Sequence, residues 1–237
     1  LTDRTFNANP KRVYEIFKYL IGLRASTTFH FEIAAHILND ETIELLKTAP
    51  KNLFQFEIGV QSTNPDTIRA INRTTDFKRV CSAVKKVLAL KSIHVHLDLI
   101  AGLPFEDFNS FKKSFCDVFS LRPDMLQLGF LKLLHGTKIR DDSEQGYIYS
   151  DLPPYEVMGN KYITYSELLI LKDVEEITDK FYNSGHFKNI LEYIISKYAD
   201  PFSALLSIAE YFKEKGLFSL SHSKEGLFDI LADFLKE

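Results

Sequence analysis

The feature that most constrains this chain is a regular alternation of strand and helix patterns from its start to Leu134. Four short stretches alternate apolar and polar residues with a period of two, and segments with helical periodicity separate them. The connections are too long for hairpins, so the pattern predicts parallel strands joined by right-handed crossovers. The predicted strands are Thr27–Ile33, Leu53–Val60, Ile93–Ile100 and Met125–Leu133. The predicted helices around them are Pro10–Leu23, Asp40–Thr48 with Asp40 as its cap, Pro65–Ile71, Phe77–Leu90 and Asp107–Leu121.

The first three predicted strands are apolar on one side and polar on the other, and in the fourth Gln127 and Gly129 interrupt an otherwise apolar stretch. In a doubly wound sheet both faces lie under helices, and the strands are almost wholly apolar. A solvated antiparallel face would also explain the polar side, but the long helical crossovers argue against it. We therefore predict a parallel sheet curved like a barrel, with helices on its apolar side and a polar lumen that holds a ligand. The polar residues are His30, Glu32, Gln55, Glu57, Gln61, His94, His96, Asp98 and Gln127.

Composition excludes several classes of protein. The 237 residues include 29 basic and 32 acidic side chains, a net charge of −3, which argues against a nucleic-acid-binding protein. No apolar stretch reaches the ~20 residues of a membrane span, so we expect no membrane contact and a cytoplasmic protein. The two cysteines, Cys81 and Cys116, lie far apart and predict neither a disulfide nor a zinc site.

The alternation stops after Leu134. A polar connector, His135–Asp151, follows, and beyond it the pattern is helical without strand signals. We predict a barrel-like domain over residues 1–150 and a helical carboxyl-terminal domain over residues 151–237, which could cap the barrel or bind a partner. The helices predicted in the second domain are Thr164–Tyr182, Phe187–Tyr198, Pro201–Lys213 and Lys224–Lys236.

Polar residues near the carboxyl ends of the predicted strands are the first candidates for a site, because parallel α/β folds bind ligands there. Arg73 follows the short third helix and could turn back toward the same edge. These candidates are Glu32, Gln61, Arg73, Asp98 and Lys132.

The spacing His94-x-His96-x-Asp98 suggests an alternative. Two histidines on one face of a barrel strand are a metal-ligand arrangement that metal-dependent hydrolases use. Such a site also needs ligands from later strands, and the last strand offers only Gln127 and Lys132. We therefore prefer to interpret the two histidines as core or supporting residues, and keep a metal-dependent barrel hydrolase as the alternative.

Several motifs taken together resemble the radical S-adenosylmethionine (SAM) superfamily. One group is similar to the oxygen-independent coproporphyrinogen III oxidases, and a second is similar to the cobalamin-binding radical SAM proteins. The resemblance covers most of the chain from Asp3 to Lys138 and, more loosely, the helical tail. The first group comprises Gly59–Ser62, Asn72–Arg73 and Asp98–Pro104. The second comprises Asp3–Asn7, Phe130–Leu134 and Pro154–Val157.

The resemblance implies a partial (β/α)6 TIM-like barrel that lacks its first strand or strands and is followed by a helical region. It also implies that SAM lies across the strand ends and is cleaved reductively at a [4Fe–4S] cluster. In the family, residues matching Glu32, Gln61, Arg73 and Asp98 hold the ribose and methionyl parts of SAM. The segment matching Ile100 and Gly102 packs near the adenine, and backbone near Lys132 contacts the adenine edge. Carboxylates and amides suit ribose hydroxyl groups, and a guanidinium suits a carboxylate.

The chain departs from the family pattern in its cysteines. The family binds its cluster through a Cys-x-x-x-Cys-x-x-Cys loop, and this sequence has only Cys81 and Cys116. The family's motif also often has Gly where Asp98 stands and places its Glu differently from Glu106, although the coproporphyrinogen oxidase variant shares Asp98. We therefore expect a fragment without the cluster loop, inactive by itself, whose full-length protein is an oxidoreductase or transferase.

The resemblance also implies partners: a small-molecule substrate and a reductant protein. Whether the protein uses cobalamin and whether it forms a homodimer are left open. The third hypothesis, beside the radical SAM protein and the hydrolase, is a non-catalytic domain whose helical tail binds a partner.

Overall fold

A four-stranded parallel sheet forms the centre of the amino-terminal half. The computed structural model describes residues 5–23, 26–73 and 76–237. Its strands lie side by side in chain order, and a helical connection leads from each to the next. The predicted parallel α/β arrangement is therefore confirmed. The strands are β1 (Phe29–Glu32), β2 (Phe54–Gln61), β3 (His94–Ala101) and β4 (Met125–Phe130).

The helices of this half begin where the sequence provides caps. Asn9 accepts a hydrogen bond from Arg12 N, and Pro10 occupies the first helical position. The second helix is capped by Asn39, whose side chain accepts from Thr42 N, so the prediction of Asp40 as cap was wrong by one residue. The helices are α1 (Pro10–Gly22), α2 (Asp40–Leu46), α3 (Pro65–Ala70), α4 (Phe77–Leu88) and α5 (Phe108–Phe119).

The sheet has one polar and one apolar face, as the alternation predicts. Registered partners in a parallel sheet share a face, and Glu57 lies beside His96 just as Phe31 lies beside Phe56. On the apolar face, Phe17 of α1 packs against the buried rings of β1 and β2 with centroid distances of 5.0–5.6 Å. Burying these rings is the main stabilising contribution of this layer.

The carboxyl-terminal half contains two short strands that the sequence analysis missed. Ile148–Tyr149 (β5) pairs antiparallel with Val157–Gly159 (β6). Strands of two and three residues carry no measurable alternation, which is why the prediction of a region without strands was wrong. The segment before β6 also explains why β4 is shorter than predicted: Leu133 N donates to Tyr155 O, and Val157 N donates to Leu131 O.

The helical tail packs on α5 and on the edge of β4. Phe202 contacts Phe115 edge to face at 5.4 Å, and Lys112 forms an ion pair with Asp200 at 2.9 Å. The division into domains near residue 150 stays a prediction. The tail helices are α6 (Lys138–Asp141), α7 (Tyr165–Ile177), α8 (Lys188–Ile195), α9 (Pro201–Glu214) and α10 (Lys224–Phe234), with a π-helical turn, Thr178–Asn183, after α7.

Asparagine side chains satisfy backbone groups at both edges of the sheet. Asn183 donates to Leu126 O and accepts from Leu126 N, both at 2.9 Å. Asn7 makes the same pair of bonds with Ala34 at 2.8 Å. Each amide thus replaces one residue of a neighbouring strand. Among the described residues, no helix combines the length and apolar character that crossing a membrane requires.

Candidate functional site

Four of the predicted site residues meet at the carboxyl ends of the strands. They line a cavity of about 170 Å³ on the polar face of the sheet. Their convergence follows from topology, because parallel strands end at the same edge. The residues that matter for its chemistry are Glu32, Glu57, Gly59, Gln61, Arg73 and Asp98.

Gln61 is turned toward the cavity by an irregularity at the end of β2. The pairing with β3 shifts between Gly59 and Gln61, and Gln61 has a φ of 70°. Its side chain folds back over Gly59, where an added Cβ would overlap Gln61 Nε2. Gln61 Oε1 is buried without a hydrogen-bond partner. The side chain therefore has a free acceptor, and the glycine beneath it makes this conformation feasible.

Arg73 reaches the same cavity from the loop after α3. Asn72 precedes it with a φ of 56°, which reverses the chain, and Arg73 Nη1 donates to Gly59 O at 2.8 Å. Burial lowers the pKa of Arg73, and the charge of Asp98 opposes that change. The guanidinium is thus fixed at one nitrogen and faces a carboxylate across the cavity.

Asp98 is the most perturbed group of the cavity. Burial, and then the nearby Glu57 and Glu32 carboxylates, raise the pKa of Asp98 to about 7, while Arg73 opposes the shift. Its Oδ1 atom is buried and has no hydrogen-bond partner. Asp98 can therefore donate or accept a hydrogen bond near neutral pH, which suits a ligand hydroxyl group.

A second, more open cavity of about 510 Å³ adjoins the first and shares Gln61 and Arg73 with it. Ile100 lines this cavity together with Leu103 and Leu131, so one wall is apolar. Five of the seven predicted site residues are thus placed around two adjoining cavities.

Gly102 and Lys132 line neither of these cavities. Gly102 has a φ of 87°, a conformation that favours glycine, and its carbonyl accepts from Asn160 Nδ2 at 2.9 Å. The side chain of Lys132 is exposed, and its backbone forms an antiparallel bridge with Glu156. Their assignment to the site stays a prediction, and so do the roles of the other five. Asp3 and Arg4, part of the motif evidence, lie outside the described residues.

A buried cluster that the sequence analysis did not single out supports the cavity. Glu106 accepts hydrogen bonds from Ser62 Oγ at 2.5 Å and from Ser114 Oγ at 2.8 Å. Burial raises the pKa of Glu106 to about 7, although the two hydrogen bonds act in the opposite direction and lower it. The cluster ties the loop after β2 to the loop after β3. Its members are distant in sequence and follow no periodic pattern, so no local signal could have found them.

The histidines of the polar face lie nearer the amino ends of the strands. His96 Nε2 and His94 Nδ1 are 2.9 Å apart, and His30 Nε2 lies 2.8 Å from a Glu57 oxygen. Burial, and then the neighbouring His94 and His30, lower the pKa of His96. The two imidazoles of β3 bond to each other, and the described residues contain no group of three or more His, Cys, Asp or Glu arranged to hold a metal. This geometry does not favour the hydrolase alternative.

The two cysteines do not form a cluster site. Cys81 lies on α4 and Cys116 on α5, and burial raises the pKa of both thiols. Ligation of a [4Fe–4S] cluster needs thiolates, and the family loop supplies three. The cysteines of this chain therefore do not fit that group, whereas the free acceptors of the cavity fit a polar ligand such as SAM.

Comparison with solved structures gives several similar chains. TsrM, a radical S-adenosylmethionine methyltransferase from Kitasatospora setae solved with tryptophan substrate and a SAM analogue, is 12% identical, with a TM-score of 0.47, over 54% of this chain and 26% of that chain. HemN, the coproporphyrinogen III oxidase of Escherichia coli and a radical SAM enzyme, is 22% identical, with a TM-score of 0.45, over 53% of this chain and 29% of that chain. This chain thus spans less than a third of either structure.

Comparison with family models divides the chain in two. No curated protein matches it. Residues 143–237 match a family described as a protein of unknown function, DUF4080. Residues 1–116 match the family described as the radical SAM superfamily. This range includes the strands and loops that build the cavity. The comparison therefore supports the radical SAM superfamily for residues 1–116, which make up just under half of the chain.

Proposed function

We propose that this chain supplies the SAM-binding part of a radical SAM enzyme, in the form of a partial (β/α)6 barrel. One observation carries the proposal: Gln61 and Asp98 line one cavity at the carboxyl ends of parallel strands, and each has a buried oxygen atom without a hydrogen-bond partner. Buried polar atoms are normally hydrogen-bonded, so two free acceptors beside one cavity indicate a bound polar molecule. The alternatives, a hydrolase and a non-catalytic domain, have no comparable support.

The charge of the cavity suits SAM. Three carboxylates, from Glu32, Glu57 and Asp98, face one guanidinium, from Arg73. SAM carries a sulfonium and an ammonium group beside one carboxylate, so its net charge is positive and complements this set. In the proposal, Arg73 pairs with the methionyl carboxylate through the nitrogens that Gly59 does not occupy.

The remaining predicted residues extend the same binding mode. Glu32 and Asp98 accept hydrogen bonds from the ribose hydroxyl groups, and the Gln61 amide contacts the methionyl part. The apolar wall around Ile100 packs on the adenine, while the backbone near Gly102 and Lys132 contacts its edge. Glu106 acts through Ser62, by holding the loop that carries Gln61.

In the family, the [4Fe–4S] cluster supplies the electron that cleaves SAM and starts radical chemistry on a substrate. The cysteines of this chain do not fit the cluster, so the proposal assigns this chain SAM binding without cleavage. After anaerobic reconstitution with iron and sulfide, we expect the chain alone to show no [4Fe–4S] absorbance. A brown preparation with about four irons per chain, as in cysteine-ligated clusters, would contradict this assignment.

Equilibrium dialysis with radiolabelled SAM tests the binding step. We expect saturable binding by the wild-type chain and loss of at least about tenfold in affinity for Gln61→Ala, because a hydrogen-bonding group is removed from a buried site. Gln127→Ala is the matched control, since Gln127 lies on the same polar face but lines neither cavity. Equal affinity of both variants, or no binding by the wild type, would count against the proposal.

A further inference from the structure

The opposite edge of the sheet carries a cavity of different character. This basic cavity, of about 640 Å³, lies at the amino ends of the strands and on the turns that lead into them. Five of its thirteen lining residues are cationic, compared with 29 of 237 in the whole chain. The cations are Lys51, Lys85, Lys91, Arg122 and Lys188.

Three equivalent turns place cations beside one another. Each turn leads from a helix to the next strand through a residue with a left-handed backbone: Asn52 with a φ of 64°, Lys91 with 56° and Arg122 with 55°. Glycine and asparagine are the usual residues at such positions, so two of the three turns accept steric strain to present a cation. Asn52 N donates to Ser92 O at 2.9 Å, which joins two of the turns directly.

The lysines of the basic cavity are not neutralised within the described part of the chain. None of its four lysines forms an ion pair with a described carboxylate, whereas Lys86, next to Lys85 in the last turn of α4, pairs with Asp40. Arg122 is held by Glu192 through two bonds of 2.7 and 2.9 Å. The cavity's one carboxylate, Asp124, accepts a hydrogen bond from Val95 N. A concentration of positive charge therefore remains.

Helix dipoles explain only part of this charge. Lys85 lies in the last turn of α4, where a cation is favourable, and Lys91 lies three residues beyond its end at Leu88. Lys188 is the first residue of α8, where the positive end of the helix disfavours a cation. Lys51 lies beyond the end of α2, which is at Leu46. The last two lysines have no stabilising role in the fold that the structure shows.

We propose that the basic cavity binds an acidic segment of a partner protein. Its lysines are flexible point charges, which favour electrostatic attraction of an acidic surface over fixed recognition of one phosphate. Arg122, the only guanidinium in the lining, is already committed to Glu192. The lining holds no Phe, Tyr or Trp on which nucleic-acid bases could stack, and the net charge is −3.

Zero-length crosslinking tests this inference with an acetylated decaglutamate peptide as the probe. Carbodiimide joins a lysine to a carboxylate only where the two are in contact, and mass spectrometry locates the product. We expect crosslinks concentrated on the four lysines of the basic cavity and suppressed by high salt. In fluorescence anisotropy, we expect Lys51→Glu/Lys91→Glu to weaken peptide binding by about tenfold, as for reversal of contacting charges.

The matched control is Lys11→Glu/Lys18→Glu, which makes the same change in net charge on α1, away from the cavity lining. Circular dichroism confirms that both variants fold. Equal weakening by the two variants, or crosslinks spread evenly over surface lysines, would overturn the inference. So would tighter binding of a single-stranded ten-base DNA than of the peptide at equal salt, because that result indicates a nucleic-acid partner.

Discussion

The cavities at the two ends of the sheet differ in charge and in size: one is small and mostly acidic, and the other is wider and basic. At the carboxyl ends, Glu32, Glu57 and Asp98 line a small cavity beside which two buried oxygen atoms, Gln61 Oε1 and Asp98 Oδ1, lack hydrogen-bond partners. At the amino ends, four lysines line a wider cavity and are exposed to solvent. A small, more enclosed cavity suits specific recognition of a small molecule, whereas exposed charge suits attraction of a large acidic one.

The difference follows from the geometry of parallel strands. The helical connections lead back to the amino ends of β2, β3 and β4, so that edge collects helix ends and left-handed turns. The loops leaving the carboxyl edge carry Gln61, Arg73 and the Glu106 cluster, because these loops are the ones free to adopt irregular structure. The two ends can therefore be altered separately, and the following predictions use that independence.

The largest expected effect is on the pH dependence of stability through Asp98. A carboxyl whose folded pKa is raised to about 7 stabilises the fold below its ordinary pKa of 3.8, and this contribution is lost as pH rises through 7. Asp98→Asn replaces the carboxyl with an amide that does not ionise, so the variant does not lose this stability as the pH rises. We expect the variant to gain on the order of 2 kcal/mol over wild type between pH 5 and pH 8 in urea unfolding. Asp229→Asn on α10 is the exposed control, for which no such gain is expected.

The second effect concerns SAM affinity and uses the close approach of Gln61 to Gly59. In Gly59→Ala the new Cβ would displace the flexible end of Gln61, so the protein should fold while the amide leaves the cavity. We expect affinity for SAM to fall by about tenfold, as when one buried hydrogen bond is lost. Gly129→Ala on β4 is the control, because its Cβ would meet Leu99 O at an ordinary 3.5 Å. Equal affinities would show that Gln61 does not contact the ligand.

A smaller effect, on stability and on crosslinking, is expected where the helical tail contacts β4 near the amino end of the strand. Asn183→Ala removes both hydrogen bonds to the backbone of Leu126, which should lower the free energy of unfolding by about 1 kcal/mol. Because Lys188 follows closely on the same tail, its crosslinking to decaglutamate should also decrease, while SAM binding stays unchanged. Asn189→Ala, on the exposed side of α8, should change neither property.

The last prediction is that substitutions in the basic cavity leave SAM affinity unchanged. Lys51→Glu/Lys91→Glu alters the amino end and lies outside both cavities of the carboxyl end. We expect SAM affinity within about twofold of wild type in equilibrium dialysis, because salt screens charges beyond about a Debye length. A larger change would mean that the two ends are coupled.

Local sequence patterns predicted the fold of the first half well. The period-two alternation in Leu53–Val60 and Ile93–Ile100 placed β2 and β3 to within a residue or two, and it identified the polar face. The β5–β6 pair was missed, because strands of two and three residues leave no pattern. Patterns also cannot report contacts between distant residues, so the Glu106 cluster and the Asn183 edge contacts needed the structure.

For the site, the strand-end rule brought Glu32, Gln61, Arg73 and Asp98 together correctly in space. It could not show that Glu57 shares their cavity, because Glu57 lies in mid-strand and reaches Asp98 through the register of β2 and β3. The basic cavity was also missed. Its cations come from four separate segments of the chain, and an overall charge of −3 conceals them.

Hydrogen–deuterium exchange with and without SAM tests the central claim most directly, because it reports both ends of the sheet in one experiment. We predict that saturating SAM slows backbone exchange in residues 59–63 and 98–103, where the Gln61 and Asp98 segments line the cavity. Exchange in residues 50–53 and 89–92, on the turns of the basic cavity, should not change. Absence of protection in both carboxyl-end segments, or protection confined to the turns, would contradict the account.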